Sequence, residues 1–130
     1  MKNQFTDPKY IAITGKNVPS KKNSKRWTGK FMISSKLSLD YDKWVQPQLL
    51  IHKAKWTSLT CDKSYPLHVG FYFYRDSKRH WDFNNITQSI ADNLVSAGYI
   101  PDDDTTHFIP VYLGEEVVSK REAGFTMTLL

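Results

Sequence analysis

Over Tyr10-Ile11-Ala12-Ile13-Thr14 the side chains alternate and are β-branched, and Gly15 ends the run, so a period of two predicts a strand. The next stretch, Lys16 to Gly29, is broken by Pro19 and crowded with Ser, Asn and Lys, which predicts an exposed loop without regular structure. From a cap at Ser38 or Asp40, the positions Leu39, Trp44, Val45, Leu49 and Ile51 or His52 recur at roughly helical spacing, with Pro47 predicting a kink or a late start. Leu67 to Tyr74 is aromatic and β-branched, a strand expected to be buried on both faces near its middle. The firmest periodicity follows: Ile86, Ile90 and Leu94 recur every four residues, with Ala91, Val95 and Ala97 beside them and Gly98 just beyond. This predicts a helix from about Asn84 to Ala97. Thr106 to Leu113, interrupted by Pro110, and Gly124 to Leu129 read as two more strands, which a hairpin through the charged segment Glu115 to Glu122 would join. Together the elements predict one domain over residues 1–130, of α/β (α+β) class, with a mixed sheet of about four strands and two main helices packed on it.

Composition narrows the functional classes. Hydrophobic residues at 40% and aromatics at 14% suffice for a packed core. No run of about 18 apolar residues and no apolar stretch behind the basic start is present, so neither a membrane span nor a signal peptide is expected, and the protein is expected to be cytoplasmic. The single Cys61 excludes an internal disulfide and a multi-cysteine zinc site, and it is read as buried filler. The net charge of +5 is unevenly spread. Residues 9–36 hold eight bases and no acid, leaving the other 102 residues with 10 bases and 13 acids. Segregated positive charge is the footprint of a polyanion partner, because each phosphate neutralised releases condensed counterions. Lys16, Lys21, Lys22, Asn23, Lys25, Arg26 and Lys30 in that loop, with Lys78 and Arg79 later, are the candidate DNA contacts. The ordinary alternative is a solvated basic loop.

Candidate chemistry centres on the second helix. The tract Arg75 to Asp82 leads from the strand into the helix, placing Asp82 at its entrance. At 100° per residue Asn84, Gln88 and Asp92 form a stripe roughly opposite the core-facing one. After the helix, Gly98-Tyr99-Ile100-Pro101 turns the chain back and delivers Asp102, Asp103 and Asp104 in succession. Adjacent carboxylates repel unless a cation relieves them. Acids before and after a helix can converge on a hard divalent ion, Mg2+ or Mn2+, which takes oxygen ligands and assists phosphodiester cleavage. Each acid also has an ordinary reading, Asp82 as an N-cap and Asp102 to Asp104 as a solvated turn. His52 and His68 are assigned to packing or surface; His80 and His107 lie nearer the acids.

The run Asp82-Phe83-Asn84-Asn85-Ile86-Thr87-Gln88, then Asp92, Leu94, Ala97-Gly98 and Asp102-Asp103, resembles the motif Asp-x-Asp-Asn-x-x-Lys, helix Asp, Gly, Asp-Asp of the RusA-type Holliday junction resolvases. Gly15 and Pro19-Ser20-Lys21-Lys22-Asn23-Ser24 are similar to that family's Pro-x-Ser-Lys-x-Asn loop after the first strand. The resemblance implies a homodimer that binds four-way DNA junctions and nicks two strands with Mg2+ or Mn2+, in recombination and repair. It puts metal carboxylates on Asp82 and Asp103, with Asp102 and Asp92 beside them, and catalytic roles on Asp82, Asp103 and the positions of Asn84 and Gln88. Two positions depart from the motif: its second acid is Asn84 and its lysine is Gln88. Asn84 keeps a carbonyl oxygen and loses a charge, and Gln88 can hydrogen-bond a phosphate without neutralising it. Either Asp92 or Asp104 supplies the missing charge and Lys78 or Arg79 the missing cation, or catalysis is weakened or lost and junction binding kept. A single-stranded RNA module stacking bases on Trp27, Phe31 and Trp81 is a further alternative.

Overall fold

The computed structural model describes residues 9–20, 25–27, 32–34 and 36–130. Its elements run β1 (Tyr10–Thr14), β2 (Lys25–Trp27), β3 (Met32–Ser34), α1 (Lys36–Thr60), β4 (Leu67–Arg75), α2 (Phe83–Ser96), β5 (Phe108–Val117), a 3-10 turn (Lys120–Glu122) and β6 (Gly124–Leu129). The fold is α+β: a mixed four-stranded sheet in the order β1-β6-β4-β5 with two helices. β4 and β5 are parallel, and α2 is the crossover that parallel strands require. β6 lies antiparallel between β1 and β4.

Four expectations are corrected. β5 and β6 are not a hairpin, because the 3-10 turn carries the chain across β4, and β6 fills the slot between β4 and β1. α1 starts before the expected caps and runs for 25 residues through Pro47; Ser38 is buried within it rather than capping it, and Pro47 is exposed. Cys61 is exposed, just past the end of α1, where a thiol has no core to fill. The segment Lys16 to Gly29, expected to be one irregular loop, also holds β2, which pairs antiparallel with β3 just beyond it. Its first part is tied down: Val18 is 1% exposed, Gly15 N–H donates to Ala123 O at 2.7 Å, and the Ser89 hydroxyl donates to Pro19 O at 2.9 Å.

α2 follows its periodicity closely. Ile86, Ile90 and Leu94 are buried in the same core cluster as Val69, Phe71 and Phe73 of β4. Gly98, at φ +79°, closes the helix: its N–H reaches Val95 O at 3.1 Å and the Tyr99 N–H reaches Leu94 O at 2.9 Å, the paired bonds of a left-handed glycine cap. Tyr99 then stacks on Trp56 of α1, whose indole N–H donates to Tyr99 O at 2.9 Å. Asn93 Nδ2 donates to Asp42 Oδ1 at 2.8 Å and adds a polar tie between the helices. The acidic loop after α2 is thereby held back along the helix.

Gly124 begins β6 at φ +152°, where an added Cβ would stand 2.1 Å from Ile13 O. Gly124→Ala is expected to cost at least about 1–3 kcal/mol through backbone strain alone. Urea unfolding measures it, and a change within about 0.5 kcal/mol, ordinary for a surface site, would contradict the register of β1 on β6.

Candidate nucleic-acid and metal site

The exposed side of α2 carries the predicted polar stripe: Asn84 and Gln88 are exposed and Asp92 is partly so. Asn84, Gln88 and Asp103 line one shallow pocket of about 210 Å3 with Thr87, Ala91 and Pro110. The cap of α2 and the Tyr99 anchor bring Asp103 there. Burial first, then the hydrogen bond and charge of Asp102 and the charge of Asp92, raise the Asp103 carboxyl above its ordinary value, while its own backbone N–H works the other way. The Asp103 N–H donates to Asp102 Oδ1 at 2.8 Å. Asp104 is turned to His107, with Oδ1 2.7 Å from Nδ1, so it makes a local pair.

Asp82 stands apart from this pocket and caps α2. Its Oδ1 accepts the Asn84 N–H at 2.9 Å and its Oδ2 accepts from Asn85 Nδ2 at 3.2 Å. It lines a larger cleft of about 720 Å3, together with Ser20, Arg75, Arg79, His80 and Trp81. Asn84 joins the two depressions: its backbone N–H is bonded to Asp82, and it lines the pocket that Asp103 also lines. Asp82 and Asp103 therefore flank α2's first two turns without sharing a pocket.

Among the described residues no group of three or more His, Cys, Asp or Glu could hold a metal ion. The donor set is nonetheless all oxygen: the Asp103 carboxylate and the carbonyls of Asn84 and Gln88, with two further acids acting on Asp103. This chemistry fits Mg2+ or Mn2+, which are bound through one or two carboxylates and complete their shells with water and substrate phosphate.

Of the predicted DNA contacts, Lys16, Lys78 and Arg79 are exposed, and Arg79 lines the cleft beside Asp82. Lys25 and Arg26 fall on β2, while Lys21, Lys22, Asn23 and Lys30 lie outside the described residues. His80 lines the cleft; His68 is exposed, and partly buried His52 is lowered by burial and then by Lys55.

Two residues, Arg75 of the cleft and Glu115 bonded to its Trp81, escaped the sequence reading. Arg75 ends β4, donates from Nη1 to Val18 O at 3.2 Å and lies 4.9 Å over the Trp81 ring. Glu115 of β5 accepts from Trp81 Nε1 at 2.9 Å and from the Tyr112 hydroxyl at 2.6 Å. A charge at the end of a long buried strand was the available signal for Arg75. Nothing in the local sequence of Glu115 distinguished it from a solvated acid, because its partner Trp81 is 34 residues away along the chain.

No protein-family model matches this chain, and no curated protein matches it. Among the described residues no helix is long and apolar enough to cross a membrane.

Glu115 makes a pH prediction. Burial opposes its charge, but the hydrogen bonds from Trp81 and Tyr112 and the Arg75 cation outweigh that and hold its pKa below the ordinary 4.5. A lowered carboxylate stabilises the fold fully above the unfolded value, and the contribution is lost as pH falls through the folded one. Glu115→Gln is expected to flatten the acid limb of stability below about pH 4.5, measured as Tm against pH. An unchanged limb would remove Glu115 from the support of Trp81.

Proposed function

We propose that the chain is a metal-dependent endonuclease of branched DNA, as its resemblance to the RusA-type resolvases implies, acting as a homodimer on four-way junctions in the cytoplasm. The observation that carries this reading is the adjacency of two unlike surfaces around the start of α2. One is the all-oxygen pocket of Asn84, Gln88 and Asp103, and the other is the cleft of Arg75, Arg79 and His80 around Asp82. Cations beside a carboxylate-bearing pocket suit a phosphodiester, whose charge the bases bind and whose scissile group the acids can approach once a divalent ion is present.

Asp103 would hold the ion, with the Asn84 carbonyl as a neutral ligand and Asp82 within the neighbouring cleft. The ion, when bound, supplies Lewis-acid stabilisation to the phosphoryl oxygens and lowers the pKa of the attacking water. The chain's own residues position the strand. Arg79 neutralises a backbone phosphate and His80 can hydrogen-bond one, the Asp82 cap fixes the entrance of α2, and Gln88 donates a hydrogen bond to a phosphate oxygen.

Asn84 and Gln88 favour one second reading, a junction-binding protein of the same fold with weak cleavage or none. Incubation of the purified chain with a synthetic four-way junction in Mg2+ or Mn2+ separates the two. Paired nicks at symmetric positions support the nuclease. Tight, steeply salt-dependent binding with no nick in either metal assigns the binding role instead, and absence of junction binding overturns both.

A further inference from the structure

β5 forms one edge of the sheet, and among the described residues only β4 pairs with it. In a parallel pair alternate residues turn both backbone groups to the neighbour, and the residues between them turn the same groups outward. Two bonds fix which is which: the Leu67 N–H donates to His107 O at 2.9 Å, and the Val118 N–H donates to Arg75 O at 2.8 Å. Counting in twos forward from His107 and back from Val118, with the register shift beside Phe71 absorbing one residue, turns Pro110, Tyr112, Glu115 and Val117 outward. Pro110 accords with this, because a proline at an outward position of an edge strand removes no ladder bond. Beyond the shift, Gly114 to Val117 is a regular strand with one side open.

The side chains select among occupants. Tyr112, Leu113 and Val117 are 46%, 40% and 51% exposed, and β5 holds no lysine or arginine, the usual guard of an open edge. Glu115 and Glu116 are in register with Phe73 and Tyr74, so they stand on opposite faces of the sheet. A second copy pairing antiparallel over this stretch, about an axis at Glu115 or Glu116, sets a carboxylate against its own copy, and like charges directly opposite are destabilising. A strand with two adjacent cations instead gains an opposite-charge pair on each face.

We propose that the outer edge of β5, from Gly114 to Val117, receives an extended segment of another protein as an added antiparallel strand, one with two adjacent basic residues between apolar ones. The outward N–H and C=O groups of Glu115 and Val117 supply the main-chain bonds, as in strand addition generally, and the side chains supply the selection. The two cations meet Glu115 and Glu116, and the apolar residues that flank them meet Val117 and Leu113. This goes beyond the nuclease reading and does not rest on it.

The test titrates the full chain with the blocked peptide Val-Val-Lys-Lys-Val-Val and with its counterpart in which both lysines are glutamates, read as amide chemical shifts and hydrogen exchange. The lysine peptide is expected to shift the Glu115 and Val117 amides, to slow their exchange, and to bind at least about tenfold more tightly than the glutamate peptide. Val117→Pro removes an outward N–H and leaves the bond from Val118 to Arg75 in place, so it is expected to abolish binding. Glu116→Lys keeps every backbone group and is expected to reverse the preference between the peptides. Four results would each overturn the inference: no change on β5, equal binding of the two peptides, lysine-peptide shifts centred on Asp102 to Asp104 in place of β5, or a preference that Glu116→Lys leaves intact. Concentration-dependent protection of Glu115 and Val117 in the chain alone would do so as well, assigning the edge to a second copy.

Discussion

Asp103→Asn is expected to lower junction cleavage by on the order of 10² to 10³-fold, the scale seen when one electrostatic stabiliser is removed from a reacting centre. It is also expected to leave Tm level or raise it. Both follow from one cause. Asp103 is raised above the ordinary carboxylate value by burial, Asp102 and Asp92, so its ionised form is disfavoured in the folded chain. For an acid raised on folding, the unfolded chain loses its proton at lower pH than the folded one. Above both values the ionised group opposes folding, and replacing it by a neutral amide relieves that opposition. A divalent ion reverses the sign by favouring the carboxylate, so metal affinity should rise with pH through the Asp103 titration and release a proton on binding. Cleavage assays and thermal melts on the same preparation check the pair. A variant that cleaves normally, or that loses cleavage only because it melts, would take Asp103 out of the site.

The second large effect lies beneath the cleft. Phe73 is 0% exposed, and its ring is surrounded by Trp81 at 4.7 Å, Phe83 at 5.8 Å and Tyr112 at 6.4 Å. Phe73→Ala is expected to cost about 3–5 kcal/mol, the sum of lost transfer energy and the cavity left behind. Set against a total stability of about 5–15 kcal/mol, this is a large share. The damage extends to function, because Trp81 and Phe83 flank the capping Asp82 and would lose the surface they rest on. Denaturant unfolding measures the first effect. A cost under about 1 kcal/mol would mean that the aromatic cluster collapses onto the space without loss.

Elements whose fate depends on their own side chains were legible. β1 and β4 showed their spans through β-branched and aromatic runs, and α2 through Ile86, Ile90 and Leu94 closed by Gly98. Elements set by distant partners were not. The placing of β6 between β1 and β4 depends on pairings such as Phe125 with Ile13 and with Phe73, which local pattern does not encode. α1 passes Pro47 because the proline faces solvent and Val45, Leu49 and Trp56 anchor the helix on both sides.

The site divides in the same way. The stripe of Asn84 and Gln88 followed from helical geometry alone, and the return of Asp103 to it followed from the turn at Gly98. The separation of Asp82 into the neighbouring cleft did not, since an aspartate ahead of a helix reads alike whether it caps or ligates. Arg75, Trp81 and Glu115 form one unit only through tertiary contact.

The central claim is that the face of α2 bearing Asn84 and Gln88, with Asp103, gathers a divalent ion. Crystals of the chain soaked in Mn2+ and measured for anomalous scattering test it most directly. The account predicts a peak at Asp103 within coordination distance of the Asn84 carbonyl, lost in Asp103→Asn. No peak on this face in the wild-type chain, or one that survives the substitution, would contradict it.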